Sequence, residues 1–222
     1  MLPQSDIAVG WDIEFDRLRA ASDEDVAYGG FATREYSFQL VVDATWEGAV
    51  DLLAQERETV ARIVAIAADE AQFDELAKTE EDDVIDEMEG FVSAPDLGVR
   101  AVVTALCASG CVTAASCRGH PGQQAWAPHP VILLTADRER AHVLEEACRG
   151  ACCGIASTDD GRLKIVAPSI EKTLSLADAL IAQRARFETL PLPAALARAR
   201  GLPTTDSAEN RWAVSEDQER LF

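Results

Sequence analysis

Residues 131–135, Val-Ile-Leu-Leu-Thr, form an uncharged apolar run between His129-Pro130 and Ala136-Asp137. A run this short reads as a strand buried on both faces. It therefore needs other strands beside it and helices to cover it, and the neighbouring segments offer both. Residues 111–116 (CVTAAS) read as a short strand, and a helix is predicted over about 137–149. CGIAST and RLKIVA flank Asp159-Asp160-Gly161, a hairpin signal. A helix over about 96–109 carries Leu97, Val102 and Leu106 inward, with Ser93 or Asp96 as its cap and Gly110 as its stop. A long helix from Ser169 to Phe187 places Ile170, Leu174, Ala177 and Ile181 on one stripe. The order α-β-loop-β-α-β-β-α predicts an α/β or α+β fold, a small sheet with helices packed on it.

The N-terminal half is patterned differently. Trp11, Phe15 and Leu18 suit one face of a short helix, and residues 35–42 (EYSFQLVV) alternate like a half-buried strand. A helix from about Trp46 to Ala68 has Trp46, Val50, Leu53, Val60, Val64 and Ala67 as its apolar set. Residues 80–92 read as a short helix with Val84, Ile85, Met88 and Val92 on one face and a strongly acidic opposite face. After Leu190 the pattern is broken by Pro and Gly, leaving one short helix near 193–200 and a tail. The expected organisation is an acidic, mainly helical region over 1–94, an α/β core over 95–190, and a tail over 191–222.

Charge separates these regions. The chain carries a net charge of −19, and residues 1–94 hold 24 Asp+Glu against 6 Lys+Arg. Such a region is unsuited to bare nucleic acid. It suits a solvated face or a basic protein partner. No basic start with an apolar stretch is visible, and the longest apolar region, near Val60–Ala68, is interrupted by Arg62. The expected location is cytoplasmic, away from any membrane, with the Cys residues as thiols or metal ligands rather than disulfides.

All six Cys and all three His fall within residues 107–153. One reading is a zinc site using Cys117 and His120 from one loop, with Cys148 and Cys152 completing the set. The other is that Cys107, Cys148 and Cys152 are small core residues, and no metal binds. Ser116-Cys117-Arg118-Gly119-His120 follows a strand, where α/β proteins place ligand loops. Cys117 and His120 are the candidate catalytic pair, a nucleophile and a proton carrier. Ser116, Arg118 and Gly119 are the candidate substrate-binding residues, with Arg118 gripping a carboxylate or phosphate. Packing is the expected role of Trp126 and His129, and a surface helix pair that of His142 with Glu145 and Glu146.

The stretch VTAASCRGH, then a buried strand, a helix, Gly154-Ile155, a hairpin and a strand through Lys164–Val166 to Ser169 resembles the tRNA wybutosine-synthesis methyltransferase family. The likeness covers about residues 97–180 and rests on Ser116, Cys117 and Gly119. His120 stands where that family has Arg, and Ala115 replaces a Ser. The S-C-x-G-H loop also resembles small uncharacterised bacterial and phage proteins. The family resemblance implies an α/β fold, S-adenosylmethionine as cofactor and a modified nucleic acid as product. Two functions are thus expected as alternatives: a small-molecule- or nucleotide-binding enzyme centred on residues 116–120, or an acidic interaction, inhibitor or accessory protein without catalysis, as in a bacterial defence or regulatory system.

Overall fold

A computed structural model describes residues 5–28, 42–87, 95–120 and 127–204. Its sheet has the strand order β1-β4-β5-β3-β2, formed by β1 (Trp11–Asp12), β2 (Val112–Cys117), β3 (Val131–Thr135), β4 (Gly154–Ser157) and β5 (Leu163–Val166). β1 runs parallel to β4, and every other pairing is antiparallel. The helices are α1 (Asp23–Tyr28), α2 (Trp46–Ile66), α3 (Glu70–Glu87), α4 (Arg100–Ala108), α5 (Arg138–Ala151), α6 (Ile170–Ala182), α7 (Arg184–Glu188) and α8 (Ala194–Ala199). This is the α/β architecture expected. The predicted strand at 35–42 falls almost wholly outside the described residues, as do Trp126, residues 88–94 and the chain beyond 204.

β3 is the spine. Ile132 and Leu134 point into the main core with Ile155, Leu163 and Ile165 from β4 and β5. Leu106 of α4, Leu144 of α5 and Leu176 of α6 meet them there. α2 lies across α4 and α6 and puts Trp46, Leu53, Val60 and Ile63 into the same core. A single apolar cluster therefore runs through residue 95 without a break.

Two details of the N-terminal half differ from expectation. Trp11 sits in a strand, paired with Ile155, and its indole N–H donates to Cys153 O at 3.0 Å. Residues Phe15–Arg17 make only a turn of 3₁₀ helix. The edge of β4 offers backbone partners that a lone helical turn lacks, and this outweighs the helical spacing. In α2 the inward stripe is Ala49, Leu53, Glu56, Val60 and Ile63, while Val50 is exposed. The stripe is turned because Glu56 has to face inward. Its carboxylate accepts the N–H groups of Gly98 (2.7 Å), Arg100 (3.0 Å) and Ala101 (2.8 Å), covering the start of α4, which has no side-chain cap of its own. Burial pushes the Glu56 carboxyl up, against the three N–H donors and Arg100.

The acidic helix begins ten residues earlier than predicted, at Glu70 instead of 80. Phe73 and Ala77 bury its first turns. Across residue 28, α1 and α8 cover the other sheet face with Val26, Ala195 and Leu196 against Val112.

A bulge between Thr113 and Ala115 shifts the β2 register by one residue. Paired residues share a face, so this shift aligns Cys117 with Val131 and Val166, on the face away from the main core. Without it Cys117 would turn toward the helices.

Two outcomes follow. Glu56→Ala leaves three amide groups without their acceptor and should lower stability by about 3 kcal/mol, read from urea unfolding. Asp25 is held at a pKa of about 2, because bonds from Arg19 and Ser22 outweigh the upward push of burial. A lowered folded pKa gives stability that is present above the unfolded value and lost as pH falls through the folded one. The deficit of Asp25→Asn relative to the natural chain, about 1–2 kcal/mol at neutral pH, should therefore shrink between about pH 5 and pH 2.

Candidate functional site

The end of β2 leads into Arg118-Gly119-His120, where the chain turns sharply. Gly119 has φ of +83°, and a Cβ there would stand 2.5 Å from the backbone of His129. Only glycine accepts that backbone and that contact together. The Gly119 N–H donates back to Cys117 Sγ at 3.3 Å, and the His120 N–H donates to Ala127 O at 3.2 Å.

Arg118 turns inward. Its side chain is 2% exposed and lies between Asp74 and Glu81, seven residues apart on one face of α3. Nη2 donates to Asp74 Oδ1 at 2.6 Å, and Nη1 is paired with Glu81. These carboxylates outweigh burial and hold the guanidinium pKa above its ordinary value. The same Glu81 accepts the Leu97 N–H at 2.7 Å, and Asp96 accepts the Arg118 N–H at 3.0 Å. The 95–99 turn, α3 and the β2 loop are thus bound into one polar network. Gly98 in that turn has φ of +93° and packs against Ile170, where a Cβ would collide.

His120 closes the network. Its Nδ1 meets Asp74 Oδ1 at 3.0 Å, and its Nε2 faces Asp96 Oδ2 at 3.6 Å. Its pKa is raised to about 10, first by Asp96 and next by the Cys117 sulfur, against burial and Arg118. A ligand atom each from Asp96, Cys117 and His120 lies within 4.8 Å of the other two. Those three residues are the set that could hold a metal ion.

The loop residues separate into roles. Cys117 and His120 come together. Ser116 pairs with Ile132 and shares the face opposite Cys117. Arg118 has both terminal nitrogens engaged by carboxylates, so it is a strut beneath the site. The expected grip of Arg118 on a ligand anion has no solvent-facing guanidinium edge behind it, since its remaining nitrogen, Nε, is buried. Cys148 is fully buried in the main core, and Cys152 is the exposed αL cap of α5. Neither belongs to the group formed with Cys117 and His120. His142 stacks on Phe15 with ring centroids 4.1 Å apart.

Asp74, Glu81 and Asp96 were not legible as site residues. Glu81 read as an acid of a solvated helix face and Asp96 as a helix cap, while Asp74 fell between two predicted helices. The one available signal was their spacing: positions 74 and 81 repeat the register of Phe73 and Ala77, which marks the inward side of α3. A groove of about 350 Å³ bounded by Trp46, Arg140, Phe187 and Arg200 contains none of these residues.

Comparison of the chain with protein families, curated proteins and solved structures finds no match.

The strut makes a direct prediction. Arg118→Ala strands two largely buried carboxylates and should cost about 3 kcal/mol of stability, in the presence or absence of any ligand. A loop whose Arg reached for solvent would show no such loss in urea unfolding.

Proposed function

We infer that the protein binds a small molecule or nucleotide at the end of β2 and acts on it through Cys117 and His120. One observation supports this above the others: a thiol, an imidazole and two carboxylates converge from β2, its loop, α3 and the turn before α4. Buried polar groups gathered from four elements are costly, and packing alone gives no reason to collect them. Cys117 is 7% exposed, whereas the side chains of His120 and Asp96 are 21% and 25% open, so the imidazole and the Asp96 carboxylate form the accessible edge of the group.

The electrostatics choose among ligands. Asp74, Glu81 and Asp96 face one guanidinium, so the cluster carries surplus negative charge even with His120 protonated. A cationic or hydrogen-donating group fits beside it better than a bare phosphate. S-adenosylmethionine carries a sulfonium cation, and it therefore remains in the test set with the nucleotides. Ser116 and Gly119 act through backbone shape, and Arg118 through Asp74 and Glu81.

A second reading has its own observation. Asp51 and Glu58 on α2, Asp69 between the helices, and Glu70, Glu75 and Asp82 on α3 stand exposed, and an acidic surface of this kind suits a basic protein partner. Among the described residues no helix is long and apolar enough to cross a membrane.

Calorimetric titration with nucleosides, nucleotides and S-adenosylmethionine separates the two. The enzyme reading expects one of them to bind, and His120→Ala to weaken that binding at least tenfold while the fold is retained. No binding by any member of the set, together with salt-sensitive binding of polylysine, favours the interaction protein.

A further inference from the structure

We propose that Asp96, Cys117 and His120 form a three-ligand site for a borderline-soft divalent metal, zinc in the first instance, with Asp74 orienting the imidazole. The proposal rests on the reading that the end of β2 is the working site, and it adds the ion to that reading.

The donor chemistry is selective. One thiolate, one imidazole nitrogen and one carboxylate oxygen suit zinc, whereas magnesium and calcium require oxygen ligands alone. Two ligand atoms at about 2.0–2.1 Å from a tetrahedral ion are separated by about 3.4 Å. His120 Nε2 and Asp96 Oδ2 are 3.6 Å apart, long for a hydrogen bond and close to that tetrahedral edge. One ligand atom from each residue, Cys117 Sγ among them, lies within 4.8 Å of the other two, a separation small side-chain rotations can close.

The surroundings fit as well. A histidine that binds a metal through one nitrogen ordinarily gives its other N–H to a carboxylate, which fixes the tautomer. Here Nδ1 meets Asp74 Oδ1 at 3.0 Å, leaving Nε2 to face Asp96 Oδ2. Asp74 is itself held by Arg118, buried beneath the site. A doubly charged ion with one thiolate and one carboxylate makes a neutral centre, which offsets part of the cluster's negative charge. Three protein ligands leave a fourth position open, the pattern of catalytic rather than structural zinc. Cys117 is turned toward this position by the β2 bulge, and Gly119, whose N–H reaches the sulfur, brings His120 back over it. Cys148 and Cys152 are not needed.

The test uses the full chain, stripped with a chelator and titrated with Zn(II) and, separately, Co(II). The expected result is one equivalent bound and a thiolate-to-cobalt charge-transfer band. Cys117→Ser should abolish the band, and Asp74→Asn should weaken affinity about tenfold to a hundredfold with the band retained. X-ray absorption of the zinc form, which needs no variant, should show one sulfur among nitrogen and oxygen neighbours. The proposal is overturned by a folded chain that binds neither ion, by a first shell without sulfur, or by a band that survives Cys117→Ser and disappears with Cys152→Ser. A small molecule that binds at His120 of a folded chain that takes up neither ion overturns the metal while sparing the functional reading. A bound ion with no small-molecule ligand does the reverse.

Discussion

A guanidinium buried to 2% exposure has to be neutralised where it stands, and Arg118 draws two carboxylates from α3 to do so. Each of those carboxylates has a second duty. Glu81 receives the Leu97 N–H and so fixes the turn before α4, and Asp74 receives Nδ1 of His120. The same turn is held from the other side by Glu56, whose carboxylate covers the start of α4. Two buried acids on neighbouring helices thus grip one short turn, and Asp96, which belongs to that turn, is placed against the histidine as a result. The positions of Asp74, Asp96 and His120 are tied to one internal charge and its compensation. Loss of any member would act on the rest through the turn, so effects of substitutions here should be strongly non-additive.

The sheet and its helices were largely legible. Val131–Thr135 is a strand because an apolar run of that length has no other stable use, and Asp159-Asp160-Gly161 turns the β4–β5 hairpin with Gly161 at φ of +80°. Local chemistry decides both. The N-terminal half was less legible because its choices are made by partners distant in sequence. Trp11 becomes a strand residue only because β4 is beside it. The stripe of α2 is turned by Glu56, and a charged residue on the inward face cannot be told from an interruption until its three amide donors are seen.

The site was half legible, for the same reason. Cys117, Gly119 and His120 are close in sequence and declare themselves as a loop. Asp74 and Asp96 lie 46 and 22 residues from the loop positions they bond, and nothing local distinguishes them from surface acids. The direction of Arg118 could not be read either. An arginine in an acidic chain offers itself equally to a ligand and to the chain's own carboxylates, and proximity of α3 decided in favour of the latter. The Cys/His cluster was partly a coincidence of composition: Cys148 and Cys153 serve as small core side chains, and burial pushes the thiol pKa of Cys153 up to about 12.

The segment from Ser5 to Arg19 is laid along the β4–β5 hairpin by bonds that cross most of the chain: Ser5 to Pro168, Ile155 to Gly10, Trp11 to Cys153, Glu14 to Ser157 and Arg19 to Gly161. The Trp11 bond alone spans 142 residues. During synthesis this segment emerges well before the hairpin and finds its partners only after the hairpin has left the ribosome. It is therefore among the last pieces to dock, and its closure carries a large loop entropy that slows assembly while scarcely affecting final stability. Until then β4 presents an unpaired strand edge to its surroundings, so nascent chains are exposed to edge-to-edge association during that interval.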